Sequence, residues 1–142
     1  MDITPAEAAD LGDVVDLWNR EGGPTSLPGG FGEAEALLAR DPGALLTARV
    51  DGKLIGTLIV GWDGWRCHLY RLVVEPSWRR KGIGHRLVAA AAERAASLGA
   101  KRIDAIVALS NGTAVGFWEA QQYVHDPLNG RWTFRTQIPG RP

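Results

Sequence analysis

The sequence predicts an α/β fold, more narrowly α+β: a mixed, mostly antiparallel sheet flanked by helices on both faces. Three observations predict it. Asp51-Gly52 separates two apolar runs, a strong signal for a two-residue hairpin. A further apolar run reaches Val74, breaks at Pro76, turns through a glycine-containing loop and enters a long alanine-rich helix, after which a new apolar run begins. Near the start of the chain, apolar residues recur at helical rather than strand spacing. Hairpins followed by a strand–helix–strand crossover belong to a sheet with packed helices.

The elements follow in the order β-α-α-β-β-β-α-β-α-β-β. Residues 2–4 suit a short edge strand. Thr4 as N-cap and Pro5 at the first helical position predict a helix with Ala8, Leu11, Val14, Val15 and Trp18 on its apolar stripe. Residues 22–30 are rich in glycine and proline and read as a loop. A short helix over 32–40 stops at Asp41-Pro42-Gly43. Strands are expected over 45–50, 54–62 and 65–74, with turns at Asp51-Gly52 and Asp63-Gly64. The helix over 79–98 places Ile83, Leu87, Ala91, Ala95 and Leu98 on one stripe and stops at Gly99. A strand over 101–109, a helix from Ser110-Asn111 to about 122, a short extended piece at 123–125, a turn at 126–130 and a last strand over 131–138 complete the chain. With 142 residues and no repeat, the whole chain, 1–142, reads as one domain.

The organising stretch runs from Val73 to Leu87. Gly82 and Gly84 lack a Cβ, so a ligand can approach the backbone closely there. They stand where a helix begins, and unpaired N–H groups and the positive dipole end suit an anion. Arg79, Arg80 and Lys81 add three cations. The physical reading is a pyrophosphate cradle formed by Arg79, Arg80, Lys81, Gly82, Ile83, Gly84 and His85; the plainer one is a solvated basic turn. A dinucleotide fingerprint would need a third glycine where Leu87 stands.

Arg79-x-x-Gly82-x-Gly84 resembles the Arg/Gln-x-x-Gly-x-Gly/Ala signature of the GNAT superfamily of N-acetyltransferases. Asn111-x-x-Ala114-x-x-Phe117-Trp118 resembles that family's second motif, Asn-x-x-Ala-x-x-Phe/Leu-Tyr. The resemblance covers residues 50–126. It implies a GNAT-like fold, acetyl-CoA as co-substrate and transfer of its acetyl group to an amine. It also implies that the strands ending at Val74 and starting at Lys101 splay apart, with the pantetheine arm against Leu72, Val73 and Val74. Asn111, Phe117 and Trp118 match coenzyme-contacting positions, although Asn111 is also a ready N-cap.

Acyl transfer needs a deprotonated amine, an oxyanion donor and a leaving thiolate. A backbone N–H near Val73 is the expected oxyanion donor. His68 is the first candidate base and matches the place where histone-type relatives carry a glutamate; a solvated or core histidine is the plainer role. Glu75 is the second candidate. Tyr70 shares a strand face with His68. The family's tyrosine acid would stand at 118, where this chain has Trp118, a donor that gives up no proton at neutral pH. The usual Gly-Phe pair ending the motif is here Gln122-Tyr123. Trp118 motivates the alternative of a non-catalytic acyl-CoA-binding or sensor module.

Formal net charge is zero, with nothing pointing to nucleic acid or membrane as partner. The distribution is uneven: residues 1–45 hold nine acids against two bases, a formal −7, and the remainder is +7. An acidic first third suggests a cationic acceptor, a small molecule or peptide, drawn in by charge. The single Cys67 excludes an internal disulfide and, with no secretory signal or membrane-length apolar run, predicts a cytoplasmic protein. Cys67 is expected to be buried, and most of the six tryptophans to be core or pocket wall. No metal site is expected. A homodimer stays open.

Overall fold

The computed structural model describes residues 1–22, 30–134 and 136. It has β1 (Asp2–Pro5), α1 (Leu11–Glu21), α2 (Phe31–Arg40), β2 (Leu45–Val50), β3 (Lys53–Trp62), β4 (Cys67–Val74), α3 (Ile83–Leu98), β5 (Ile103–Ala105) and α4 (Gly112–Ala120), with 3-10 turns at Ala8–Asp10 and Pro76–Trp78. The chain divides into two compact units, Met1–Ala105 and Ile106–Pro142.

The first unit is built on a five-stranded sheet in the order β1-β2-β3-β4-β5. The first three pairings are antiparallel, and β4 pairs β5 in parallel through the α3 crossover. Asp51 and Gly52 both take positive φ, 49° and 77°, which the tight β2–β3 hairpin requires. Consecutive residues of β3 face opposite sides. Thr57 meets α1 through the Trp18 indole, whereas a Cβ on Gly56 would lie 3.2 Å from Leu87 Cδ1 on α3. Helices thus cover both faces. On one, Leu11, Val14, Leu17 and Trp18 of α1 pack with Leu54, Ile59 and Val73. On the other lie Ile83, Leu87, Val88, Ala91 and Ala95 of α3.

Several boundaries differ from expectation. Thr4 and Pro5 do not open a helix. Both belong to β1, where Thr4 pairs Thr47 and Pro5 pairs Leu46. Edge pairing wins over the local cap signal because a proline at a sheet edge loses no ladder bond. The first turn is closed instead by Glu7 and Asp10, with the Glu7 N–H donating to Asp10 Oδ2 at 2.8 Å. α3 starts at Ile83, not at 79, and β5 spans only Ile103–Ala105.

In the second unit, α4 is capped as expected: Asn111 Oδ1 accepts the Ala114 N–H at 3.1 Å. Residues 123–125 and the described part of 131–138 form no strand, so the two closing strands are absent among the described residues; 135, 137 and 138 lie outside them. The Asp126 carboxylate accepts from the Leu128 N–H and the Asn129 side chain, which makes the expected turn. The tryptophans also differ: of the six only Trp18 is buried, and Trp65 and Trp132 are largely exposed. Cys67 is buried as expected, and burial raises its thiol pKa.

Candidate active site

β4 is the strand on which the candidate site is built. Its ladder with β5 covers only Cys67↔Ile103, His68↔Asp104 and Leu69↔Ala105. Beyond Leu69 the strand continues to Val74 with no β5 pairing among the described residues. A stretch of strand without a β5 partner therefore begins inside the sheet, the kind of edge that an amide-bearing chain can join.

The same stretch carries a bulge. Ile59 pairs Tyr70 and Thr57 pairs Val73, so Arg71 and Leu72 together oppose Leu58. Arg71 takes φ 57°, uncommon for a non-glycine residue. The bulge corrects the alternation, leaving His68, Tyr70 and Val73 on the α1 face. Val73 is buried there in the core, while His68 and Tyr70 are exposed.

Backbone direction can be followed at the strand's end. The Glu75 N–H donates to the Ile55 carbonyl on β3 at 2.8 Å, and the Val74 carbonyl accepts Arg79 Nε at 3.1 Å. Amides along an antiparallel strand alternate in direction. The Val73 amide thus turns toward β3, and the Val74 amide turns away from it.

The loop after β4 is held by local strain and by charge. Arg80 and Gly82 both take positive φ, 61° and 80°, and Gly82 is the N-cap of α3. Alternating backbone conformations of this kind form concave sets of N–H groups that suit anions. The first α3 hydrogen bond runs from the Arg86 N–H to the Gly82 carbonyl, so the amides of Ile83 and Gly84 have no intrahelical partner. The three loop cations differ in their contacts. Arg79 bonds the Val74 carbonyl and pairs with Glu21 of α1 at 3.3 Å; Lys81 Nζ lies 4.9 Å over the Trp78 ring. Arg79 is thus a brace between α1, β4 and the loop.

The two candidate bases stand in different surroundings. His68 Nε2 lies 3.7 Å from Asp63 Oδ2, both groups half exposed. Asp63 is held as a carboxylate, its pKa lowered first by the Arg66 and Trp65 backbone N–H groups. Glu75 is only 13% exposed and pairs with Arg20 at 2.8 Å, which lowers its pKa from the ordinary carboxylate value. A carboxylate held this way is a weaker base. The Tyr70 phenol has its pKa raised by burial and stays protonated. Beside Glu75, a groove of about 430 Å³ is lined by Asp13, Asp16, Asn19, Arg20, Lys53 and Leu54.

In the second unit, α4 ends in a left-handed Gln122, φ 67°, at the place where glycine is usual. The Tyr123 N–H then reaches back to the Trp118 carbonyl at 3.1 Å, and the Tyr123 ring packs edge-on against Trp118, centroids 4.9 Å apart. Phe117 also packs edge-on against Trp118, centroids 5.3 Å apart. Burial raises the Tyr123 pKa.

Residues 11–123 match the model of the Acetyltransferase (GNAT) family. An acetyltransferase of Photorhabdus laumondii is 32% identical over 127 residues, 87% of this chain and 86% of that one. The chain belongs to the GNAT acetyltransferases. An acetyltransferase of Pectobacterium atrosepticum is 31% identical over 91 residues; the match spans 64% of either chain, a little under two thirds of the relative's length. Among solved structures, the aminoglycoside antibiotic 6′-N-acetyltransferase of Acinetobacter haemolyticus superposes with a TM-score of 0.74 at 22% identity, over 97% of this chain and 99% of that one. At that identity the likeness concerns the fold.

GNAT enzymes use acetyl-CoA. In this GNAT acetyltransferase, the first unit brings together the 70–74 edge, the 79–85 loop, His68 and Glu75 along one strand and its exit. Asn111, Phe117 and Trp118 belong to the second unit. Asn111 Oδ1 serves as the helix cap, accepting the Ala114 N–H. Sequence reasoning missed Arg71 and Thr57, because a bulge between strands leaves no spacing signal. It also missed the Asp63 partner of His68. Asp63 was legible as a turn residue, yet only the turn's geometry brings it back toward the strand.

Proposed function

We propose that this acetyltransferase moves the acetyl group of acetyl-CoA to the amine of a cationic small molecule or peptide by direct attack in a ternary complex. The single observation that supports this most is the β4 edge. It loses its β5 partner after Leu69 and continues through the Arg71 bulge and the 3-10 turn at Pro76–Trp78 into the turn that opens α3. On this reading the pantetheine amides pair with the strand over 72–74, and the diphosphate rests on the amides of Ile83 and Gly84 with Arg80, Lys81 and His85 around it. Arg79 holds the loop's shape.

His68 takes the proton of the attacking amine, directly or through one water, with Asp63 as its charge partner. The amine nitrogen bonds the thioester carbonyl carbon, and the oxyanion is met by an outward-turned amide of the β4 edge rather than by Val73. The C–S bond then breaks and the thiolate leaves with the electron pair. An alkyl thiol of pKa about 8.5 is a tolerable leaving group without a phenol at position 118. Glu75, held by Arg20, contributes charge to the groove and not base catalysis.

The test is thiol release from acetyl-CoA with a panel of amines, run beside calorimetry of acetyl-CoA binding. Turnover is expected for at least one diamine or basic peptide. Binding without turnover across cationic, neutral and anionic amines would overturn the acceptor assignment.

A further inference from the structure

The bulge that opens β4 is held by a directed chain of hydrogen bonds from α1. The Trp18 indole N–H donates to Thr57 Oγ1 at 2.9 Å, and Thr57 Oγ1 donates to the Arg71 carbonyl at 2.9 Å. An indole N–H can only donate and a carbonyl can only accept, so the orientation of the Thr57 hydroxyl is forced. Trp18 is 5% exposed and Thr57 fully buried. The Arg71 guanidinium lies over the Trp18 ring, 5.1 Å from its centroid, closing the circuit. Two further ties leave the same turn of α1: Arg20 to Glu75 and Glu21 to Arg79. One helical turn thus grips the bulge, the end of β4 and the loop after it.

A left-handed non-glycine residue persists only where its surroundings over-determine it, and such residues cluster at functional sites. Here that residue is Arg71, which lies within the stretch of β4 that has no β5 partner after Leu69. We infer that Trp18 and Thr57 are positioning residues: by fixing the Arg71 carbonyl they set the β4 edge to receive the amide-bearing arm of the acyl donor, separately from the diphosphate held at the 79–85 loop. This rests on the acetyl-CoA reading above.

The experiment compares two ligands on purified full-length chain: acetyl-CoA, and 3′-phospho-ADP, which carries the diphosphate without the pantetheine amides. Thr57→Val keeps side-chain shape and removes the hydroxyl. It is expected to weaken acetyl-CoA at least tenfold by calorimetry while changing 3′-phospho-ADP affinity less than twofold, and Thr57→Ser is expected to restore acetyl-CoA binding. If Thr57→Val does not fold, Trp18→Phe, which keeps the hydroxyl but removes its donor, is read the same way. Unchanged acetyl-CoA affinity overturns the inference. Equal loss for both ligands also overturns it, since the chain of bonds would then serve stability alone. A wild-type chain that binds neither ligand overturns the acetyl-CoA reading itself, and the inference with it.

Discussion

At the scale of single residues, the two loop glycines have separate reasons to be glycine. Gly82 takes φ 80°, where a side chain costs about 1–2 kcal/mol. Gly84 lies within the helix, where valine is tolerated better than glycine by propensity. Gly84→Val is therefore the cleaner probe of ligand approach. Circular dichroism should be unchanged and acetyl-CoA affinity should fall by at least tenfold; a folded variant with native affinity would remove the diphosphate from this turn. His68→Ala should slow acetylation most near neutral pH and less at high pH, where free amine is abundant, and a pH–rate profile of unchanged shape and height would remove His68 from the mechanism. Trp118 gives up no proton, so Trp118→Tyr should preserve or raise the acetylation rate. A strong fall in rate with coenzyme affinity intact would show the indole itself is needed.

At the scale of elements, α1 is a splint as well as a core helix. Its Arg20–Glu75 pair has a definite pH dependence. The Glu75 pKa is lowered, chiefly by the hydrogen bond from Arg20. Its contribution to stability is fully present above the ordinary value of 4.5 and is lost as pH falls below it through the lower folded value. Thermal melts of wild type and Glu75→Gln should differ near neutrality and converge in acid. A difference that persists unchanged to the lowest pH would mean that Glu75 acts by packing rather than charge. On α3, Arg94 donates to Asp41 at 2.6 Å, and a Cβ on Gly43 would lie 2.5 Å from Arg94 Nη1. This partly buried pair fastens α3 to the turn before β2. Removing Arg94 should cost about 1.5–3 kcal/mol in chemical denaturation, as for hydrogen bonds to charged groups.

At the scale of the whole chain, three of the nine acids in the first third are taken up by ion pairs. Asp10 pairs with Arg49, Glu21 with Arg79 and Asp41 with Arg94, each joining the acidic segment to the basic remainder. Part of the dipole in the sequence is therefore folding information, and an acidic wall along the entire segment does not follow from it. Asp13 and Asp16 remain beside the groove that Glu75 also lines, with Arg20 and Lys53 opposing them. If this groove steers a cationic acceptor, catalytic efficiency should fall with salt, because such attraction is screened over about 8–10 Å at physiological ionic strength. Asp13→Asn with Asp16→Asn should raise KM several-fold and flatten that salt dependence. A best substrate that is neutral or anionic, with efficiency flat in salt, would discard steering. The glycine- and proline-rich loop read over 22–30 lies outside the described residues at 23–29.

What was legible in the chain beforehand is what local chemistry dictates. Asp51-Gly52 marked a tight turn, Asn111 was a ready helix cap, and Arg79-x-x-Gly82-x-Gly84 after an apolar strand marked both the family and the turn that opens α3. What the tertiary structure decided lies where two segments compete for the same backbone. Thr4 and Pro5 carry a valid helix-start signal, but β2 offered ladder bonds that no local cap could match. Val73 counts as an edge residue along the sequence, yet the Arg71 bulge and the pairing of β3 turn its amide inward and its side chain into the core. Arg79 reads along the sequence as a ligand for phosphate, and only the fold shows Glu21, 58 positions earlier, beside it as well. Strand register, bulges and ion pairs between distant segments depend on which chains meet, and no spacing within one segment encodes that.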